Sequence, residues 1–274
     1  MNQNKHNKYV KHFPANTTGK DYIVGDIHGC YRDLMGALIA IGFGAGDRLF
    51  CVGDLIDRGP DSIKCVDLLK EDWVHSIRGN HEQMMIDSII GNNYQTSRVW
   101  LANGGQWSLR VDQRHLVEIA KALDELPYVI TVGTGRDRFN IVHGDLLKTN
   151  EDVSDQDIDN WTFDDNSMTN MLWGRNLACD WINIRDYKDW SHYQQDLSMT
   201  YCGHTPSRSV FKACKQIFLD RGCVYHHTSR NKSEQNALAI ACHQDRVVHQ
   251  WVPLWKTIST ITYDEIKPVT RSRY

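Results

Sequence analysis

Five short apolar runs, each followed within two residues by glycine or histidine, constrain most strongly what this chain can fold into. They are DYIV, RLFCV, WVHSI, RFNIV and MTYC, at 21–24, 48–52, 73–77, 138–142 and 199–202. Such runs are typical of buried strands. Between the first runs, apolar residues recur at helical spacing, as at Leu34, Leu38 and Ile41. The alternation predicts βαβαβ with a largely parallel sheet, and therefore an α/β fold.

The later segments predict helices, an acidic loop and more strands. Residues 81–90 and 113–126 carry 3.6-residue periodicity, which predicts a helical insertion whose second helix ends at Pro127. Residues 150–170 hold seven acidic side chains and no Lys or Arg, and we expect a solvated loop there. The alternating pattern at 216–251 predicts a strand followed by a hairpin around 243–246.

Composition excludes several functional classes. The formal net charge is -3, whereas a nucleic-acid binder needs an excess of Lys and Arg, so we expect no nucleic-acid partner. No run of about 18 apolar residues predicts a membrane span, and the polar N-terminal stretch lacks the apolar core of a signal peptide. We therefore expect a cytoplasmic protein. Its eight scattered cysteines predict reduced, mostly buried thiols.

Each apolar run ends in a motif rich in metal-binding side-chain types. The motifs are GDIHG, GDLIDRG, RGNHE, HGD and GHTP, in chain order. The carboxyl ends of parallel strands meet at one edge of a sheet, where the ligands of open α/β proteins bind. The side chains predicted to meet there are Asp26, His28, Asp54, Asn80, His143 and His204.

This set offers oxygen and imidazole ligands without a thiolate, which suits Mn, Fe or Zn in a catalytic site. Six ligands are more than one ion usually takes from a protein when one coordination position must stay open for water. We therefore expect two divalent ions. Asp54, the middle carboxylate, is then the bridge between them. A water shared by two such ions ionises near neutral pH, and metal-bound hydroxide would be the nucleophile.

Charged residues beside these motifs fit phosphate chemistry. Arg58 and Arg78 lie in the same loops, and planar guanidinium groups can hold phosphate oxygens as charge develops on them. His81 follows Asn80 directly and can supply the proton that a leaving alkoxide needs. Asp57 can orient His81 and raise its pKa, or it can simply cap the next helix. These residues predict hydrolysis of a phosphoester.

The ordered motifs resemble the signature of the phosphoprotein phosphatase family of metallophosphoesterases. GNHEQMMID and the NGG at 103–105 are similar to its small bacterial and bacteriophage lambda type. The resemblance covers about 21–251, which implies a single catalytic domain at 21–251, a polar N-terminal extension at 1–20, and a C-terminal extension or edge strand at 252–274. It implies a central β-sandwich of mixed sheets flanked by helices.

The resemblance also implies an activity, which is metal-dependent hydrolysis of phosphoserine and phosphothreonine, and often phosphotyrosine, usually with two Mn ions. The first metal would be held by Asp26, His28 and Asp54, and the second by Asp54, Asn80, His143 and His204. His81 would be the general acid, oriented by Asp57. Phosphate would be bound by Asn80, Arg58, Arg78 and Arg175, the last from LWGR at 172–175. Phosphoproteins or phosphopeptides would be the partners of a monomeric enzyme.

Three other functions can be weighed on particular residues. Nucleases and phosphodiesterases of the same superfamily typically end in GHxH, whereas Pro206 stands at the last position here. Symmetrical diadenosine tetraphosphate hydrolases share GDIHGCY but usually lack the aspartate found here as Asp57 and have GNHD. Asp57 and Glu82 therefore favour the protein phosphatase and leave the hydrolase as the alternative. A non-catalytic scaffold should lack a ligand or His81, and none is missing.

Overall fold

Two six-stranded mixed sheets form the centre of the molecule. The structure is a computed structural model and describes residues 8–148, 151–178, 193–229, 233 and 235–266. Its strands are β1 (Val10–Phe13), β2 (Asp21–Val24), β3 (Arg48–Cys51), β4 (Val74–Ser76), β5 (Val129–Val132), β6 (Phe139–Ile141), β7 (Met199–Cys202), β8 (Phe211–Ala213), β9 (Gln216–Phe218), β10 (Leu238–Cys242), β11 (Val247–Val252) and β12 (Thr257–Thr262). Its helices are α1 (Tyr31–Ala40), α2 (Ser62–Asp67), α3 (Asn80–Ile89), α4 (Tyr94–Ala102), α5 (Gln113–Asp124), α6 (Asp155–Asn160), α7 (Asp165–Trp173) and α8 (Tyr225–Thr228).

The sheets pack face to face, with helices on both outer faces. The strand orders are β1-β5-β6-β7-β9-β8 in the first sheet and β12-β11-β10-β2-β3-β4 in the second. Successive strand residues point to opposite faces, so Tyr22 and Val24 of β2 join a core under α1 and α5, while Ile23 joins the core between the sheets. A third core lies between the first sheet and helices α6 and α7. The predicted sandwich of mixed sheets flanked by helices is confirmed.

Parallel pairing brings the predicted motifs to one edge. β2, β3 and β4 are parallel neighbours in the second sheet, and β6, β7 and β9 are parallel neighbours in the first. The βαβαβ pattern, the two helices of the insertion and the hairpin at 243–246 are confirmed. The second insertion helix, α5, ends before Pro127 as predicted.

The acidic loop predicted at 150–170 is wrong for the residues that the structure describes, because these residues contain α6 and most of α7. Carboxylates at helix N-termini accept from unpaired backbone N–H groups and complement the helix dipole. Asp164 caps α7 in this way, accepting from the Ser167 N–H at 2.8 Å. Asp157 accepts from Lys148 Nζ and Thr162 Oγ1, each at 2.6 Å. The acidic residues therefore serve local structure.

Strands also lie outside the predicted domain of 21–251. β1 pairs in parallel with β5, so Val10 lies opposite Val129, and no pattern at 1–20 predicted this strand. β12 is an edge strand that pairs with β11. The domain boundaries stay a prediction, but the two sheets extend past both of them.

Two compositional expectations can be compared with the structure. The seven cysteines that it describes all carry free thiols, and six of them are buried. Cys179 lies outside the described residues. Within those residues, no helix is both long and apolar enough to cross a bilayer.

Candidate active site

The six side chains predicted as metal ligands lie together, buried, at the shared edge of the two sheets. Asp26, Asp54 and Asn80 come from the ends of β2, β3 and β4, and His143 and His204 come from the ends of β6 and β7. Two groups have ligand atoms within 4.8 Å of one another, one of His28, Asp54 and His81, the other of Asp54, His143 and His204.

Asp54 lies between two sets of imidazoles. Its Oδ2 is 3.4 Å from His28 Nε2, and its Oδ1 is 3.4 Å from His143 Nε2. Burial alone would raise the pKa of Asp54, but the neighbouring imidazoles, His143 foremost, hold it well below the usual range. Asp54 is therefore an ionised carboxylate with one oxygen toward each set, as a bridging ligand requires.

The histidines are held in the form that binds metal ions. His28 Nδ1 lies 2.8 Å from the Ile56 carbonyl oxygen, and His143 Nδ1 lies 2.7 Å from that of Val52, so each Nε2 faces the cluster. Burial lowers the pKa of His28 and His143, and that of His204 to about 3, which keeps these imidazoles neutral. Neutral imidazole is the ligand form.

The remaining donors complete an oxygen and nitrogen set. Asn80 Oδ1 is 2.9 Å from His143 Nε2 and 3.0 Å from His204 Nδ1. Asp26 accepts from the His204 backbone N–H at 3.0 Å. His204 thus presents its Nδ1 to the cluster, whereas His28 and His143 present Nε2. The set fits divalent ions that prefer oxygen and imidazole.

Left-handed backbone conformations directly after the strands orient these side chains toward the cluster. φ is 44° at His28, 52° at Asp54 and 65° at His204, values that cost non-glycine residues about 1–3 kcal/mol each and cluster at functional sites. The Glu82 carboxylate supports one such turn by accepting, at 2.8 Å in each case, from the backbone N–H groups of Asp54, Leu55 and Gly79. No motif in the sequence indicated that Glu82 would hold this turn.

His81 and Asp57 form a buried pair. His81 Nδ1 lies 2.6 Å from Asp57 Oδ2, so Asp57 acts on the imidazole and does not cap α2, whose N-cap is Asp61. Two indole groups also donate to Asp57, from Trp100 Nε1 at 2.9 Å and Trp107 Nε1 at 2.7 Å. Burial opposes protonation of His81, but the carboxylates of Asp54 and Asp57 outweigh it and raise its pKa. His81 is thus poised to carry a proton.

The three predicted phosphate-binding arginines differ in position. Arg58 Nη1 is 2.6 Å from His28 Nε2, and its Nη2 is 2.9 Å from His81 Nε2, so its guanidinium lies at the centre of the cluster. Arg175 is exposed, and its charge contributes to lowering the pKa of His143 and His204.

The contacts of Arg78 do not support its predicted phosphate role. The guanidinium donates to Gln83 Oε1 at 2.9 Å and to the Asp124 carboxylate at 2.9 Å, and it lies over the Tyr128 ring. Arg78 therefore links α3 to the end of α5. The motif correctly places the backbone of Arg78 beside the other site residues. The direction of its long side chain depends on neighbours that lie outside the motif.

One more carboxylate at this edge was missed. Asp220 follows β9 and is buried, with its Oδ1 accepting from the Gly222 N–H at 2.8 Å. Burial and the like charge of Asp54 raise the pKa of Asp220 to about 6. The signal was present, because the apolar run IFL is followed directly by an aspartate, and DYIV and RLFCV are each followed by Gly-Asp. The Arg221 guanidinium is bonded to Gln250 and to the Gln235 carbonyl oxygen.

Comparison with known proteins agrees with this geometry. Over residues 22–218 the chain matches the calcineurin-like phosphoesterase family. Serine/threonine-protein phosphatase 1 of Salmonella typhimurium is 43% identical over 210 residues, which are 74% of this chain and 87% of that protein. A symmetrical bis(5'-nucleosyl)-tetraphosphatase of Nitrosomonas europaea is 40% identical over 74 residues, 26% of this chain and 28% of its own.

Among solved structures, a protein serine/threonine phosphatase from Saccharomyces cerevisiae superposes with a TM-score of 0.57 at 16% identity, over 94% of this chain and 85% of its own. At that identity the likeness concerns the fold alone. The family match includes strands of both sheets and every predicted metal ligand. The chain is therefore an enzyme that belongs to the calcineurin-like phosphoesterase family.

Proposed function

We propose that this enzyme is a metal-dependent protein phosphatase that hydrolyses phosphoserine and phosphothreonine, and also phosphotyrosine. The observation that carries the proposal is the position of Asp54, which lies between two imidazole sets and within reach of the His81–Asp57 pair. Such an arrangement supplies everything that phosphomonoester hydrolysis needs. The similarity to the Salmonella phosphatase over most of both chains supports a phosphoprotein substrate.

Two divalent ions would be held by the six buried ligands, Mn in the first place, with Fe or Zn as alternatives. When bound, such ions supply positive charge and activate water for attack on phosphorus. Asp26 and His28 would serve one position, and Asn80, His143 and His204 the other, with Asp54 shared. Asn80 would also orient a phosphate oxygen through its amide nitrogen.

The other residues would bind the phosphate and move a proton. Arg58 and Arg175 would donate to phosphate oxygens as charge builds on them in the transition state. His81 would give the proton on its Nε2 to the leaving serine or threonine oxygen, because an alkoxide is a poor leaving group. Asp57 would keep that imidazole protonated and correctly turned. We place the enzyme in the cytoplasm as a monomer.

The alternative is a symmetrical diadenosine tetraphosphate hydrolase. It is favoured by the 40% identity to such an enzyme, but that identity covers about a quarter of each chain. The protein phosphatase similarity covers 74% of this chain. Asp57 and Glu82, the residues that distinguish the two functions in the sequence, also favour the protein phosphatase.

The deciding experiment compares four substrates with the purified full chain in buffer containing Mn. They are a phosphothreonine peptide, p-nitrophenyl phosphate and diadenosine tetraphosphate, with a phosphotyrosine peptide alongside. We expect kcat/KM for the phosphothreonine peptide to exceed that for the dinucleotide by at least about tenfold, and Asp54→Asn to lose activity on all of them. A preference for the dinucleotide would replace the proposal with the alternative.

A further inference from the structure

A second cluster of metal-binding side chains lies outside the phosphatase centre. Its members are Cys30, Asp33 and His227, whose ligand atoms are all within 4.8 Å of one another. Cys30 is the N-cap residue of α1, and Asp33 stands in the first turn of that helix. His227 belongs to α8, which follows β9 of the first sheet. The cluster therefore joins two segments that are far apart in the chain.

The side chains around the cluster are already oriented. Asp33 Oδ2 lies 2.6 Å from His227 Nε2, while Asp33 Oδ1 accepts from Trp251 Nε1 at 3.2 Å. The indole bond fixes the plane of the carboxylate, as outer contacts do for metal ligands. Cys223 is buried beside Cys30, which brings a second sulfur to the buried side of the cluster.

We propose that Cys30, Asp33 and His227 bind a zinc ion that is separate from the metal ions of the phosphatase centre. Thiolate, imidazole and carboxylate are the ligand types that proteins use for zinc. Zinc bonds of about 2.0–2.3 Å place ligand atoms about 3–4 Å apart, and the observed spread is within reach of small side-chain movements. Binding releases the Cys30 proton to solvent.

The ligand chemistry separates the two sites. The phosphatase centre offers oxygen and nitrogen only, whereas a thiolate selects zinc over manganese and magnesium. Exposure rises across the cluster, since Cys30 is 1% exposed and the His227 side chain is 33% exposed, so an ion can enter from the His227 side. A bound zinc ion would fasten α8 to the start of α1, two residues from His28. This inference does not depend on the phosphatase proposal.

X-ray absorption of the full chain loaded with Zn²⁺ under a non-thiol reductant tests the proposal. We expect a zinc–sulfur shell at about 2.3 Å, which no ligand of the phosphatase centre can supply. Cys30→Ser should abolish the sulfur shell and lower the zinc content by one ion per chain. Asp54→Asn should keep the shell, and so should the matched control Cys214→Ser, a thiol in the turn between β8 and β9.

Other outcomes would overturn the proposal. One is an absorption spectrum of the unaltered chain in which zinc is surrounded by oxygen and nitrogen alone. Another is a thiol titration that finds two fewer free thiols than the chain has cysteines, because Cys30 and Cys223 form a disulfide. If Cys30→Ser does not fold, His227→Gln provides the same test at an exposed position. We expect His227→Gln to weaken zinc binding about tenfold or more. Unchanged zinc affinity in this variant would refute the site. Hydrolysis of p-nitrophenyl phosphate with Mn is a separate readout, so failure of the proposed function would be recognised independently.

Discussion

At the scale of single residues, the contacts of Asp57 explain why the pKa of the buried His81 imidazole is raised. The carboxylate receives His81 Nδ1 and two indole N–H groups, and all of these partners are buried or nearly so. The motifs alone predicted the pairing of Asp57 with His81. They did not predict Trp100 and Trp107, which lie 43 and 50 residues further along the chain, because only the folded helices bring them back.

Asp57→Asn should move the pH dependence of hydrolysis. A general acid works only while protonated, so activity is present below the pKa of His81 and is lost as pH rises through it. Asp57 raises that pKa, and removing its charge should shift the alkaline limb of kcat/KM for a phosphothreonine peptide to lower pH. Asp61→Asn is the control carboxylate. An alkaline limb that stays at the same pH in Asp57→Asn would contradict the assignment of His81 as the general acid.

His81→Asn should affect poor leaving groups most. Without the acid, release of a threonine alkoxide should slow by about 10²–10⁴-fold, whereas p-nitrophenolate leaves without a proton and should slow much less. Comparing kcat for the phosphothreonine peptide and p-nitrophenyl phosphate measures the difference. Equal losses on the two substrates would assign His81 another role.

At the scale of elements, the loops after the strands depend on acceptors that reach them from neighbouring helices. Glu82, in the first turn of α3, accepts from three backbone N–H groups in the turns after β3 and β4. The periodicity of the sequence predicted the strands and helices themselves, since a buried strand and an amphipathic helix each impose their own spacing. β1 was not predicted because its partner, β5, lies more than 100 residues away.

Glu82→Gln should loosen the turn that holds Asp54. The amide keeps the size of the side chain but turns one acceptor into a donor that faces backbone N–H groups, at a cost of about 1–3 kcal/mol. Urea unfolding measures this loss, and Mn titration should show weaker binding as well. Glu118→Gln removes an exposed carboxylate from α5 as the control, and we expect it to be nearly neutral.

Asp157→Asn tests the structural role of the acidic segment. Bonds from Lys148, Thr162 and Ser154 overcome the effect of burial and hold the pKa of Asp157 well below its usual range. The stabilisation is therefore present above the unfolded pKa, near 4, and is lost as pH falls. We expect thermal unfolding at pH 7 to show a loss of about 1 kcal/mol, which persists down to about pH 4 and shrinks only below that pH, with no comparable loss in Asp165→Asn.

At the scale of the whole molecule, the active centre is an interface between two sheets. The second sheet supplies Asp26 and Asp54, and the first supplies His143 and His204. The sequence predicted which residues converge, because parallel strands end at a common edge. It could not predict that the convergence spans two sheets with different strand orders, nor that Arg78 turns toward α5, since these depend on tertiary packing.

Metal removal should therefore lower both the activity and the thermal stability of the whole chain. A chelator should abolish hydrolysis, and readdition of Mn should restore it. Ions that bind only the folded chain stabilise it by about 2.7 kcal/mol at 100 times Kd, so Tm should rise with Mn concentration. Asp54→Asn should show a much smaller rise, and a rise equal to that of the unaltered chain would place the stabilising ion elsewhere.

The dispersal of the ligands across both sheets has a consequence for synthesis. A chain growing on the ribosome carries Asp26, Asp54 and Asn80 early, but His204 emerges only after about three quarters of the sequence has been translated. A chain that ends before His204 cannot hold the six predicted ligands together, however well its first strands have folded. We therefore expect no hydrolysis from nascent chains, or from chains terminated early, that have not yet reached this last ligand.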